Sequence, residues 1–420
     1  MAAPEITTLP GGVRVVTERL PVVRSVALGY WVGVGSRDEK PERAGVSHFI
    51  EHMLFKGTQR YDALAIAELF DAMGGELNAA TSRDSTVLYT RVPDSNAAKA
   101  LEVMTEMVVA PVFAELDSER EVVLEEIAMV DDMPQDLVHD LAAEAVFGTH
   151  PLGRPVIGAA KVISSVSRRA LHGFHAGSYV GGNVVLAAAG NVRHDRIVAQ
   201  VAGALAPLAR ARTVAGASFR GKATSRRAFL ERPTEQVHVV ISGLGLARGD
   251  DRRFALSVLD AIVGGSASSR LFQEIREKRG MAYSVYSYTA QYAEVGQVAI
   301  SFGTREENLR ECAEITAREL RALARGELRA GELERAKESL QGRLLLAQES
   351  TSNRMNRLGR SLISGLELMT LAETTRRIAA VTADDVAALA AELYAPESLA
   401  VAGIGPREKR FDEAMGALAA

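Results

Sequence analysis

The stretch Gly45-Val46-Ser47-His48-Phe49-Ile50-Glu51-His52-Met53-Leu54-Phe55 decides how this chain reads. It is short and mostly apolar, and it predicts a buried helix. On a helix, His48 and His52 stand one turn apart on one face, and Glu51, three residues after His48, lies beside them. Two neutral imidazoles at that spacing can hold one Zn²⁺. The carboxylate next to them is placed to take a proton from water at the ion. The order H-x-x-E-H is the inverse of the H-E-x-x-H zinc signature.

Outward from this helix the pattern alternates between strands and helices. Residues 13–18 and 25–33 read as strands split by a turn at Pro21. Residues 62–73 are helical by spacing, with Asp62 as N-cap and Gly74-Gly75 as the stop. A strand over 84–92, helices over 95–109 and 115–130, a buried strand over 183–190 and a helix near 194–205 follow. The segment 206–222 loses periodicity, gains small and basic residues, and reads as a linker. Beyond it come a strand over 236–243, helices over 252–263 and 269–278, and strands near 283–289 and 295–302. Helices over 305–325 and 330–347 and a strand near 398–404 complete the second half. Both halves run strand, helix, Gly-rich turn, helix, strand, with a long helix later. The expectation is an α+β chain of two similar α/β domains in tandem, spanning 1–210 and 223–420.

Composition narrows the function. At 420 residues the chain exceeds one ordinary core. With 47% apolar and 24% charged residues it reads as a soluble globular protein. A net charge of −4 gives no electrostatic reason to expect nucleic acid or an anionic membrane as partner. Cys312 is the single cysteine, so there is no disulfide framework, and a metal site must draw on histidines and carboxylates. Met1-Ala2-Ala3-Pro4-Glu5 does not read as a signal or transit peptide, so none is expected. No uncharged apolar run reaches the roughly 18 residues of a transmembrane helix. The default expectation is a cytoplasmic protein.

A histidine pair does not make a metal site without further ligands, since catalytic zinc takes three protein ligands plus water. The run Glu119-Arg120-Glu121-Val122-Val123-Leu124-Glu125-Glu126 supplies candidates. Glu119 and Glu126 are two helical turns apart and share a face, with Val122, Val123 and Ile127 around it. A carboxylate turned toward apolar neighbours needs a partner, and a metal is one. From spacing alone, a solvated acidic face accounts for the run equally well.

Taken together, His48-Phe-Ile-Glu-His-Met-Leu-Phe-Lys-Gly-Thr58, Asn78-Ala-Ala-Thr-Ser82 and Glu119-Arg-Glu-Val-Val-Leu-Glu-Glu126 resemble the inverzincin metallopeptidases of the pitrilysin and insulinase group. Within that group they look like the mitochondrial processing peptidase β-subunit and its bacterial homologues. The resemblance covers essentially the whole chain. It implies one Zn²⁺ per subunit held by His48, His52 and Glu126, with Glu51 as general base and Glu119 supporting the site. Glu126 lies 74 residues beyond His52, slightly closer than in the family pattern, which admits Glu125 as the alternative; the phase with Glu119 favours Glu126.

The resemblance also implies that Asn78, Ala79 and Ala80 lie on an edge strand that binds extended peptide. Arg276 and Tyr283 would hold the peptide backbone and the oxyanion. Asp136 and Asp140 would recognise arginine near the cleavage site. Without it, a turn, a solvated basic helix end and a solvated acidic face are the simpler readings of these three groups. The family encloses substrate in a chamber between two halves of about this length, so one chain is half of a clamshell. A homodimer, or a heterodimer with a similar subunit, is implied. The expected activity is zinc-dependent endopeptidase action on peptides or unfolded segments, favouring sites near basic residues. The competing expectation is a non-catalytic core or partner subunit of a peptidase or respiratory complex. Such subunits usually lose a metal ligand, and none is lost here. A third reading is a holdase that binds peptides without cleaving them.

Overall fold

The computed structural model describes residues 3–208, 218–221 and 226–418, so most of the expected linker lies outside the described residues. The first sheet contains β1 (Glu5–Thr8), β2 (Arg14–Arg19), β3 (Ser25–Val32), β4 (Glu76–Thr81), β5 (Thr86–Pro93) and β6 (Val184–Gly190). Its spatial order is β1-β2-β6-β3-β5-β4. The second sheet contains β7 (Arg227–Glu231), β8 (Val237–Gly245), β9 (Ala282–Gln291), β10 (Gly296–Thr304) and β11 (Ala400–Gly405), in the order β7-β11-β8-β10-β9.

With β1 set aside, the two sheets repeat each other strand for strand. The parallel pair β2·β6 corresponds to β7·β11, and every remaining neighbour is antiparallel in both. The expected duplication is therefore a repeat of topology. Each sheet ends on an edge strand, β4 in one and β9 in the other.

The strands of the first sheet that read as continuous apolar runs are covered on both faces, as expected for such runs. On β3, Val26, Leu28, Tyr30 and Val32 join the larger core while Ala27 and Trp31 join a second cluster on the opposite face. The larger core includes residues of α1 (Val46–Leu54), α2 (Ala63–Ala72), α3 (Ala97–Val109) and α4 (Leu116–Asp131). The opposite face is closed by Met355, Leu358 and Leu362 of the helix Thr351–Ile363. That helix approaches so closely that a Cβ on Gly359 would fall within the Trp31 indole. Its Arg354 and Arg357 pair with the buried Glu18 carboxylate of β2.

The compact units are not the sequential blocks 1–210 and 223–420. One comprises Met1–Ala128, Arg154–Ala217 and Leu346–Leu368; the other comprises Met129–Gly153, Ser218–Leu345 and Met369–Ala420. α5 (Pro134–Phe147) comes from the first half of the chain but packs on β8 and β11, while Thr351–Ile363 comes from the second half and packs on β3 and β6. These are corresponding strands, so the exchange is symmetric. Helical periodicity reports that a face is buried but not which sheet buries it, and the sequential division follows from that gap. The helix expected over 269–278 also differs, because Phe272–Glu277 winds as a π-helix. Among the described residues no helix is long and apolar enough to cross a membrane.

Candidate metal centre

α1 owes its orientation to its apolar stripe. Val46, Phe49, Ile50 and Met53 are buried at three- and four-residue spacing, which turns His48, Glu51 and His52 away from the core. Its N-cap, Gly45, has φ of +97° and no capping side chain. Glu39 supplies the missing acceptors from outside the helix. Its Oε2 accepts from the Gly45 N–H at 2.7 Å and its Oε1 from the Ser47 N–H at 2.6 Å. Burial pushes the Glu39 carboxyl up to about 7 against the pull of those two donors. A Cβ on Gly45 would come within 2.7 Å of the Ile157 carbonyl oxygen, so the close crossing there needs glycine.

α4 brings the carboxylates. Glu119, Val123 and Ile127 are buried along one stripe, and Glu126 lies on the same face, partly exposed. His48 Nε2 is 3.6 Å from Glu126 Oε2, and His52 Nε2 is 3.3 Å from the same oxygen. One donor atom from each of the three residues falls within 4.8 Å of the others. Donors about 2.0–2.2 Å from one ion at tetrahedral angles are separated by roughly 3.3–3.6 Å. Both His–Glu distances match that separation, so the donor set fits a zinc ion by spacing and by chemistry.

The surrounding contacts select the right forms of these donors. Burial, reinforced by the neighbouring His52, pushes His48 down to about 4, which leaves it a neutral imidazole at neutral pH. His52 Nδ1 lies 2.8 Å from Glu119 Oε1. A carboxylate accepts, so Nδ1–H donates and the Nε2 lone pair is directed at the site. The other Glu119 oxygen lies 2.5 Å from Lys56 Nζ. Glu51 Oε2 is buried with no hydrogen-bond partner among the described residues. Burial raises the Glu51 carboxyl above its ordinary range; Thr81 and His52 oppose this and Glu126 adds to it. A carboxyl so placed exchanges protons more readily near neutral pH than a solvated one.

Among the described residues β4 pairs only with β5, through Asn78↔Tyr89 and Ala80↔Val87, and no strand lies on its other edge. Asn78 and Ala80 are exposed and Ala79 is buried; Asn78 Oδ1 accepts from the Ala79 N–H at 2.8 Å. A cleft of about 780 Å³ adjoins the start of this strand, with Phe55, Ile66, Phe70, Leu77 and Tyr89 in its wall.

The remaining predicted residues lie in the other unit. Arg276 sits on the π-helix with its guanidinium 4.9 Å from the Tyr283 ring centroid and 4.7 Å from that of Phe272. Tyr283 is 81% exposed. Asp136 and Asp140 flank His139 on α5. His139 bridges two tyrosines of β9, with Nδ1 2.9 Å from the Tyr288 hydroxyl and Nε2 3.0 Å from that of Tyr286. Burial lowers the His139 pKa, and Asp136 opposes that.

Sequence reasoning missed Glu39 and Lys56. Lys56 lies inside the quoted motif, four residues after His52, but nothing in the sequence pairs it with Glu119. Glu39 had no local signal, because its partners are backbone N–H groups six and eight residues on.

A duplicated mixed-sheet unit that presents H-x-x-E-H on one helix and a converging glutamate on another defines a metallopeptidase scaffold. Residues 14–160 match the model of Insulinase (Peptidase family M16), and residues 165–340 match that of the Peptidase M16 inactive domain. An uncharacterized zinc protease of Streptomyces coelicolor is 43% identical over 94% of this chain and 89% of its own length. One of Bacillus subtilis is 40% identical over 95% of this chain and 97% of its own. The fold is similar to a solved protease from Helicobacter pylori, with TM-score 0.89 and 22% identity over 96% of this chain and 99% of that one. It is also similar to a solved peptidase M16 inactive domain from Pseudomonas fluorescens, with TM-score 0.88 and 25% identity over 97% and 98%. The chain belongs to peptidase family M16.

Proposed function

We propose that this chain is a zinc-dependent endopeptidase acting on extended peptides. The convergence of His48, His52 and Glu126 donors at ion-binding spacing carries the reading. The names of the Streptomyces and Bacillus relatives support zinc as the metal. When bound, Zn²⁺ supplies a Lewis acid that lowers the pKa of water toward neutrality and polarises a carbonyl. His48, His52 and Glu126 hold the ion, and Glu119 fixes the His52 tautomer. Glu51 takes a proton from the attacking water and delivers it to the leaving amine.

The open edge of β4 binds the peptide main chain by strand addition, with Asn78, Ala79 and Ala80 as the receiving residues. The apolar wall beside β4 suits a hydrophobic side chain of that peptide. Arg276 and Tyr283 contact the substrate backbone, and Asp136 and Asp140 attract a basic residue near the cleavage site. A homodimer completes an enclosing chamber in this reading. The presence of all of His48, Glu51, His52 and Glu126 favours it over a non-catalytic subunit.

The test is Glu51→Gln. Zinc content stays at one per chain while kcat on a quenched peptide library falls about 10²–10⁴-fold. Near-wild-type turnover in that variant would remove Glu51 from the base role.

A further inference from the structure

The two units hold one feature in common that the metal chemistry does not require. The second α-helix after each edge hairpin, β4–β5 or β9–β10, carries a buried glutamate in its first turn, Glu119 on α4 and Glu332 on the helix Glu332–Ala347. They are 6% and 7% exposed. Each is met by a cation that follows the helix after the corresponding strands β3 and β8, Lys56 after α1 and Arg270 after the helix Arg253–Val263. The two cations differ in how they share the carboxylate. Arg270 takes both oxygens, with Nε 2.9 Å from Glu332 Oε1 and Nη2 2.6 Å from Oε2. Lys56 Nζ lies 2.5 Å from Oε2 of Glu119, and Oε1 accepts from His52 Nδ1.

We propose that Lys56 is a positioning residue of the metal centre: it anchors one oxygen of Glu119 so that the other fixes His52. A buried carboxylate needs both oxygens satisfied. A lysine ammonium is a point donor that serves one oxygen, whereas a guanidinium fork is built to serve two. A lysine therefore divides the carboxylate between itself and the imidazole. An arginine in its place competes for the oxygen that His52 uses, so the conservative exchange is not conservative here. The inference rests on the zinc reading above and adds a residue to it.

The experiment measures the zinc dissociation constant by competition with a chromophoric chelator, alongside thermal unfolding of the metal-free protein. It compares wild type, Lys56→Met and Lys56→Arg. Loss of an outer partner of a ligating histidine typically weakens metal binding about 10–100-fold. Both variants are expected to show that weakening while remaining folded. A wild-type protein that binds no zinc sinks the metal reading itself. A wild type that binds zinc and a Lys56→Met variant within twofold of it overturn this inference alone. Full affinity in Lys56→Arg overturns the division of the two oxygens. Loss of folding in both variants assigns Lys56 to stability and likewise overturns the proposal.

Discussion

The two units share a sheet order and differ in what one short helix carries. In the first, α1 buries Val46, Phe49, Ile50 and Met53 and turns His48, Glu51 and His52 outward. In the second, the helix Arg253–Val263 holds the corresponding place, buries Leu256, Leu259, Ile262 and Val263, and has no histidine. The supporting acids follow the same divide. Glu119 is shared between Lys56 and His52, whereas Glu332 holds Arg270 on both oxygens, with the Arg329 N–H also donating to Oε2. The comparison teaches that this fold supports a buried glutamate–cation pair with or without a metal. The candidate metal centre adds two imidazoles and one further carboxylate to that arrangement. The edge strands diverge in the same sense: β4 lies beside the histidine helix, while β9 carries tyrosines 283, 286 and 288.

The strongest way to break the comparison is to make the first unit resemble the second. His48→Leu combined with His52→Leu is expected to abolish zinc binding entirely, read by metal analysis, while the protein stays folded. Retention of one zinc per chain would mean that the ion sits elsewhere. Next in size is the Glu51→Gln loss of turnover described above, which separates proton transfer from metal holding.

A third effect concerns acid. The folded-state pKa of His48 is about 4 against an ordinary 6.5, so the unfolded chain binds the proton first. The stability that this neutral imidazole contributes to the metal-free protein is present above pH 6.5 and is lost as the pH falls toward 4, by about 3 kcal/mol. His48→Leu removes that part of the decline, and denaturant titrations of both proteins across this range measure it. Equal slopes in the two would contradict the buried neutral imidazole. The smallest effect tests the exchanged helix. Gly359→Val forces the helix Thr351–Ile363 away from Trp31 and is expected to cost about 1–3 kcal/mol, read by thermal unfolding. A change under about 0.5 kcal/mol would show that the contact is looser than described.

The site was legible where its chemistry is local. The spacing of His48, Glu51 and His52 places three functional groups on one turn, and the seven-residue interval from Glu119 to Glu126 places two carboxylates on one stripe. Local propensity also marked α2, whose N-cap Asp62 accepts from the Ala65 N–H. What escaped depends on partners distant in sequence. β1 and β7 are four- and five-residue strands on sheet margins, too short to show alternation. Neither α5 nor Thr351–Ile363 is among the helices read from the sequence, and their destinations are set by tertiary packing, since an amphipathic stripe fits either sheet. Lys56 gains its meaning only when α4 folds back to place Glu119 beside it, 63 residues later.

The central claim is that one ion is held by the imidazoles at 48 and 52 and the carboxylate at 126. A crystal structure of the zinc-loaded protein, with anomalous data collected at the zinc edge, tests it most directly. The account predicts a single strong peak about 2.0–2.2 Å from His48 Nε2, from His52 Nε2 and from a Glu126 oxygen, with His52 Nδ1 still on Glu119. A peak coordinated by Glu125 in place of Glu126, or one remote from both rings, would contradict it.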